Sequence, residues 1–340
     1  MSGPTLKGSA AGIAVLSFAA LLAAQNTALD KSRQTLQDKN KQTLNLAKDP
    51  PLVAIGETSK LVFHVSPLSS TGPLSQQLRD ALKAILKLNG NSVIVHIRAL
   101  AAGSGDVRRI PQIVSDVLTE KHMPLPSVSV VQAGALPLND SDIVLETISA
   151  GKKDVNKDGL TFYAAESVVA TEPTMELKPL LEKSLDQLAA KMKGRAALAV
   201  TCFVSSLDGA QELTGMVKAR FAGAAINLVQ PRRLAWQTEA SCEGVSQGAA
   251  IKTLRIAFSG TQVAFGNEEK DGAVALQRLD RALNGVGAPG TNDAALLRFY
   301  VPSARKIPVK VNAPVASFAV EGVGPVEAGF ALDAVAPVVQ

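Results

Sequence analysis

The chain is poor in the residues that announce a metal or redox site. Only two cysteines, Cys202 and Cys242, occur in 340 residues, which excludes a disulfide framework and leaves room for one bridge at most. A thiolate-rich metal site is excluded with it, and the three histidines, His64, His96 and His122, fall at spacings that match no zinc pattern. Aromatic residues make up 4% of the chain against 46% hydrophobic residues overall, so the cores are built from Ala, Val and Leu rather than from rings. No block of one charge exists. The 35 basic and 30 acidic residues, net +5, are interleaved, which argues against a nucleic-acid partner.

Motifs for cofactors are equally thin. GVGAPG, residues 285–290, matches the dinucleotide fingerprint but follows a helical pattern instead of a strand, so it reads as a helix stop and loop. DVNKDG, residues 154–159, opens like a calcium loop, yet its twelfth position is Ala165 where a Glu is required, and an inter-repeat turn is the better reading. No cofactor and no metal are expected. No Ser/His/Asp set stands out, since none of the histidines has a nucleophile-elbow motif nearby.

What the chain does have is one hydrophobic segment followed by repeats. Residues 8–24 read GSAAGIAVLSFAALLAA, with Lys7 ahead and no charge until Asp30. The stretch is short for a membrane span and long for a signal-peptide core. Lys31 and Arg33 follow closely, which is unusual after a cleaved signal, so residues 1–25 read as a membrane anchor carried by Ile13, Val15, Leu16, Phe18, Leu21 and Leu22, with a removed signal segment as the alternative. The layout of a short tail, one span and a large body is that of an exported bacterial protein, which tips the body toward the periplasm over the cytoplasm. Residues 26–51, polar and rich in Gln, Lys and Leu, suit a solvated helical stalk ended by Asp49, Pro50 and Pro51.

Beyond the stalk a pattern recurs. Alternating strands open at Leu61, Leu160 and Leu254, and each precedes a helical stripe: Leu74, Leu78, Ala81, Leu82, Ile85; Leu177, Leu181, Leu185, Leu188, Met192; Val274, Leu276, Leu279, Leu283. Second strands follow as SVIVHIRAL, ALAVTCFVS and ALLRFYVP, beginning at Ser92, Ala197 and Ala295. A second helix comes next, shortened in the third copy to residues 305–309, and closing strands end in LETIS, CEGVS and LDAVA. Glu146, Glu243 and Asp333 therefore recur at the spacing of a small domain. The pattern predicts an α+β fold of three tandem β-α-β-α-β-β modules, residues 59–150, 158–248 and 252–339, which cover one another's bare sheet faces.

These segments resemble the YjgF/RidA (L-PSP) family of imine/enamine deaminases and related proteins, whose chorismate-mutase-like module forms homotrimers. The resemblance rests on residues 200–246 (VTCFVSSLDGAQELTGMVKARFAGAAINLVQ and its later CEGVS), on PSVSVVQAGALP at 126–137 with VLETIS after it, and on FSGTQVAFG from Phe258. It implies an intramolecular pseudo-trimer that needs no further copies. It also implies neighbouring strands for Cys202 and Cys242, for which a bridge and two buried thiols both stay open, with thiols favoured. Active members use an Arg shortly after a Pro to hold a substrate carboxylate, and a Glu on the last strand to position water. Those places hold Val128 and Val144 in the first copy, Ala225 or Ile226 and Ser241 in the second, and Val315 or Ala316 and Ala331 in the third.

With that pair missing, the reading is of a non-catalytic interaction subunit, a pseudoenzyme attached through its anchor to a larger bacterial membrane complex. The alternative is a small-molecule binder or divergent imine/enamine hydrolase using clefts between repeats. No catalytic residue is assigned. Candidate cleft residues are Ser259 and Gly260 in the strand-ending turn, Arg232 and Arg233, and the recurring acids Glu146, Glu243 and Asp333, for which a structural role is the first expectation.

Overall fold

The computed structural model describes residues 53–58, 61–102, 105–151, 159–231, 237–248, 254–266, 268–302, 311–324, 328 and 330–338. After β1 (Val53–Thr58), the chain runs β2 (Leu61–Val65), α1 (Leu74–Asn89), β3 (Ser92–Ala101), α2 (Ile110–Glu120), β4 (Ser127–Gln132) and β5 (Ile143–Gly151). It continues as β6 (Leu160–Val169), α3 (Leu177–Met192), β7 (Ala197–Val204), α4 (Ala210–Arg220), β8 (Ala225–Gln230) and β9 (Glu239–Gln247). Last come β10 (Leu254–Ser259), β11 (Gln262–Ala264), α5 (Glu269–Asn284), β12 (Leu296–Val301), β13 (Val315–Ala319), β14 (Gly322–Val323) and β15 (Phe330–Val338).

Alternation along the strands decides the packing, because successive side chains point to opposite faces. In β3 the residues Ile97, Ala99 and Ala101 join a core with Leu78, Leu82 and Ile85 of α1 and Ile113, Val114 and Leu118 of α2. In β7, Val200, Cys202 and Val204 meet Leu181, Leu185 and Leu188 of α3. In β12, Leu297, Phe299 and Val301 meet Leu276, Leu279 and Leu283 of α5, whose start is fixed by a capping box between Glu268 and Asp271. The opposite faces of the three sheets turn toward one another. Leu100, Phe203, Tyr300 and Phe318 share one apolar cluster, and Ile148, Leu198, Phe258, Leu296 and Val335 share another.

The expected set of chorismate-mutase-like, RidA-like modules, each with a sheet of its own in an intramolecular pseudo-trimer, is corrected here to three mixed sheets of unequal size, two of which take a strand from another segment of the chain. The first has four strands in the order β2-β5-β3-β4; the second has five, β14-β8-β7-β9-β6; the third has six, β1-β10-β15-β12-β13 with β11 beside β15. β1 comes from a stretch read as neither stalk nor repeat, and it pairs antiparallel along the full length of β10. β14 leaves the third segment to pair with Val229 and Gln230 of β8. The backbone of Ala319, at the end of β13, bonds Gly134 and Ala135 beyond β4. Unsatisfied strand edges explain the exchange, since each borrowed strand satisfies backbone groups that would otherwise lie bare.

The membrane location is corrected as well. Among the described residues no helix is long and apolar enough to cross a membrane. The anchor residues Ile13, Val15, Leu16, Phe18, Leu21 and Leu22 and the stalk lie outside the described residues, so no structure supports a membrane-attached, periplasmic body. Residues 154–158 of the calcium-like stretch and the shortened helix at 305–309 also lie outside them. Cys202 and Cys242 are directly opposite on β7 and β9, and they form a disulfide, S–S 2.07 Å with Cα atoms 4.1 Å apart, where thiols had been favoured.

Candidate functional site

Between the two shared apolar clusters lies a polar layer, one residue pair from each sheet. Arg98 of β3 faces Glu146 of β5, Thr201 of β7 faces Glu243 of β9, and Arg298 of β12 faces Asp333 of β15. The same strand faces carry Leu100, Phe203 and Tyr300 two residues above and His96, Ala199 and Leu296 two residues below. All six residues of the layer are buried, none more than 8% exposed.

The layer is closed by links between sheets. Arg98 donates to Glu146 Oε2 at 2.9 Å within its own sheet and to Glu243 Oε1 in the second. Arg298 donates to Asp333 Oδ1 at 2.8 Å in its own sheet and, through Nε, to Glu146 Oε2 at 2.7 Å in the first. Asn227 of β8 completes the circuit by donating to Asp333 Oδ2 at 3.3 Å, while its own Oδ1 accepts from Thr261 at 2.6 Å. Tyr300 donates to the same carboxylate of Asp333. Charge-assisted bonds of this kind are what make buried ions tolerable, because desolvation costs several kcal/mol per ion, about as much as a good partner returns.

Electrostatics follow from burial and neighbours. For Glu243, burial pulls the carboxyl pKa up, but Arg98, His96 and hydrogen bonding from Arg98 and Ser129 outweigh it, so the pKa ends below the usual carboxylate value. Burial lowers the His96 pKa to about 4, partly opposed by Glu243 and Glu146 and reinforced by Arg98 and Arg298; its Nδ1 is 2.8 Å from the Ser127 hydroxyl and its ring stacks on Phe162. Burial, then Asp333, pushes Tyr300 well above its ordinary value. Three buried atoms of the layer have no partner at hydrogen-bonding distance: Glu146 Oε1, Glu243 Oε2 and Arg98 Nε.

A cavity of about 40 Å³ opens against this layer, its wall including His96, Arg98, Thr201, Asn227, Glu243 and Asp333. That volume exceeds what one water needs, roughly 10–15 Å³ on the same measure, so a molecule of a few heavy atoms or two waters fit. A second cavity of about 50 Å³ lies between β4 and the second sheet, bounded by Val131, Gln132, Phe203, Ser205, Glu239 and Ser241. Burial raises the Glu239 pKa there. Among the described residues no group of three or more His, Cys, Asp or Glu side chains is arranged to hold a metal ion.

Of the residues singled out in the sequence, the structure brings Glu146, Glu243 and Asp333 into this one network. Ser259 stands on the same cavity wall, its hydroxyl accepting from the Ala334 amide at 2.8 Å. Gly260 follows it and is buried, while Arg232 and Arg233 lie outside the described residues. Arg98, Arg298, His96, Thr201, Asn227 and Tyr300 were not foreseen. Their signal was present: HIRAL and LRFYV each set one Arg within an apolar strand at the place where TCFV has Thr201.

No family model matches the chain, and no curated protein does. Among solved structures it is similar to cyanuric acid hydrolase from A. caulinodans, at 11% identity and TM-score 0.42 over 83% of this chain and 100% of that one. A second cyanuric acid hydrolase structure, described as an evolutionary innovation by structural concatenation, matches at 11% identity and TM-score 0.40 over 82% and 100%. T. maritima PurL complexed with FGAR matches at 9% and 0.31 over 84% and 75%. At these scores the likeness assigns neither family nor activity. The YjgF/RidA membership expected from the sequence is corrected: no family model matches the chain to carry it. The reading of a non-catalytic, membrane-anchored pseudoenzyme subunit falls with it. It rested on the anchor, the stalk and the two empty family positions, whereas the buried polar layer gathers elsewhere, beside a cavity with a carboxylate oxygen that has no hydrogen-bond partner.

Proposed function

We propose that the chain is a hydrolase of small polar substrates and that its chemistry takes place in the cavity where the three sheets meet, with Glu243 as the base toward water. The observation that carries this reading is Glu243 Oε2, buried and without a hydrogen-bond partner in a residue on the cavity wall. A pKa held below the ordinary value keeps this group a carboxylate at neutral pH, able to orient a water and accept its proton. Arg98 Nε, buried and unpartnered on the same wall, is a donor available to charge that develops on the attacked group. The step suited to such a pair is addition of water to a carbon bearing nitrogen: Glu243 takes one proton, the new C–O bond forms, the C–N bond breaks, and the proton leaves with the amine.

The test is a screen of formamide, acetamide, urea and formamidine for release of ammonia. For any substrate turned over, Glu243→Gln should lower kcat by about 10²–10⁴, the usual contribution of a positioned base, with the fold unchanged by circular dichroism. Turnover unaffected by that substitution, or none with any member of the set, would overturn the reading.

A further inference from the structure

The polar layer lacks one cation. Two of its three strand pairs consist of an Arg opposite an acid, and the third has Thr201 opposite Glu243. The layer therefore holds three carboxylates against two guanidiniums, a formal charge of −1, and His96 adds no positive charge at neutral pH because its pKa lies at about 4. An uncompensated buried charge is costly. Thr201 is also much shorter than Arg, and it borders open space: the 40 Å³ cavity has Thr201, Asn227, Glu243 and Asp333 on its wall, together with Arg98 and Arg298. The missing charge and the missing volume meet on this wall, and Glu243 Oε2, in a residue 5% exposed, is left without a hydrogen-bond partner, with His96 Nε2 4.0 Å away.

We propose that this cavity binds one small monovalent cation, standing where a third guanidinium would, with the Glu243 carboxylate as its charge partner. Resting on the hydrolase reading above, this makes the substrate cationic, of the amidinium or small ammonium type, unless the site is filled by an inorganic ion.

The experiment is thermal unfolding of the whole chain in potassium, sodium, ammonium, methylammonium and formamidinium chlorides. Choline chloride at equal ionic strength is the control, its cation being too large for the cavity. A fitting cation should raise Tm saturably over choline, by roughly 5 °C at a hundredfold excess over half-saturation. The order of half-saturation distinguishes an inorganic ion from an organic one. Thr201→Arg, which supplies both charge and volume, should abolish the response, and the isosteric Glu243→Gln should do the same if the Arg variant does not fold. A rise no greater than choline gives, or one that survives both substitutions, would overturn the proposal. Saturable stabilisation by neutral formamide or urea, and by no cation, would overturn it while leaving the hydrolase reading in place.

Discussion

His96 is where acid should first be felt. Its imidazole is buried beside Arg98 and Glu243, and burial is the largest reason its pKa falls from 6.5 to about 4. The folded protein thus binds this proton less readily than the unfolded chain, so the stabilising contribution is complete above pH 6.5 and is lost as pH falls toward 4. The interval corresponds to about 3 kcal/mol. Urea unfolding followed from pH 7 to pH 4 should show a loss of that order, with Glu243, whose pKa is also lowered, adding its share at more acid pH. In His96→Gln most of the loss between pH 6.5 and 4 should vanish, and an unchanged slope would place the acid response elsewhere. At this scale the sequence disclosed the acids and hid their partners. Glu146, Glu243 and Asp333 recur at one place in a pattern, whereas Arg98 and Arg298 gain meaning only once three strand faces are known to meet. Asn227 is harder still, because its bond to Asp333 spans 106 residues.

At the scale of elements, β7 and β9 are held by more than their backbone bonds. The Cys202–Cys242 bridge closes a segment with a sequence separation of 40 residues inside the core between the second sheet and α3. Restricting a loop of that length in the unfolded chain stabilises the fold by about 3–4 kcal/mol in the chain-entropy account. The double variant Cys202→Ala, Cys242→Ala should therefore unfold at a distinctly lower urea concentration than the oxidised protein, and a midpoint within error of it would show the bridge to be dispensable. Helices were the most legible elements, since stripes such as Leu78, Leu82 and Ile85 mark the buried face directly. The exchanged strands were not. β14 is two residues long and begins at Gly322, and β1 follows Pro50 and Pro51 where a linker is the natural expectation. Short strands are specified by the edge that receives them, and that edge lies far off in sequence.

For the molecule as a whole, residues 50–340 form one compact unit. Its three sheets are joined by two apolar clusters, a polar circuit and borrowed strands. None can open without exposing the others' inner faces. Differential scanning calorimetry should accordingly show a single transition for this unit, with calorimetric and van't Hoff enthalpies in agreement, and separable transitions for the three sheets would contradict it. The broad division into helices over sheets was readable from periodicity, but the borrowing of strands was not, because periodicity describes a segment and not its neighbours.

Because one polypeptide supplies all three corners of the central circuit, each corner is free to change without dictating the other two. Identical subunits around an axis would have to place the same side chain there three times over. Here the corner built on Thr201 differs from those built on Arg98 and Arg298, and that single inequality makes the interior lopsided, with open space against one acid in place of three identical corners.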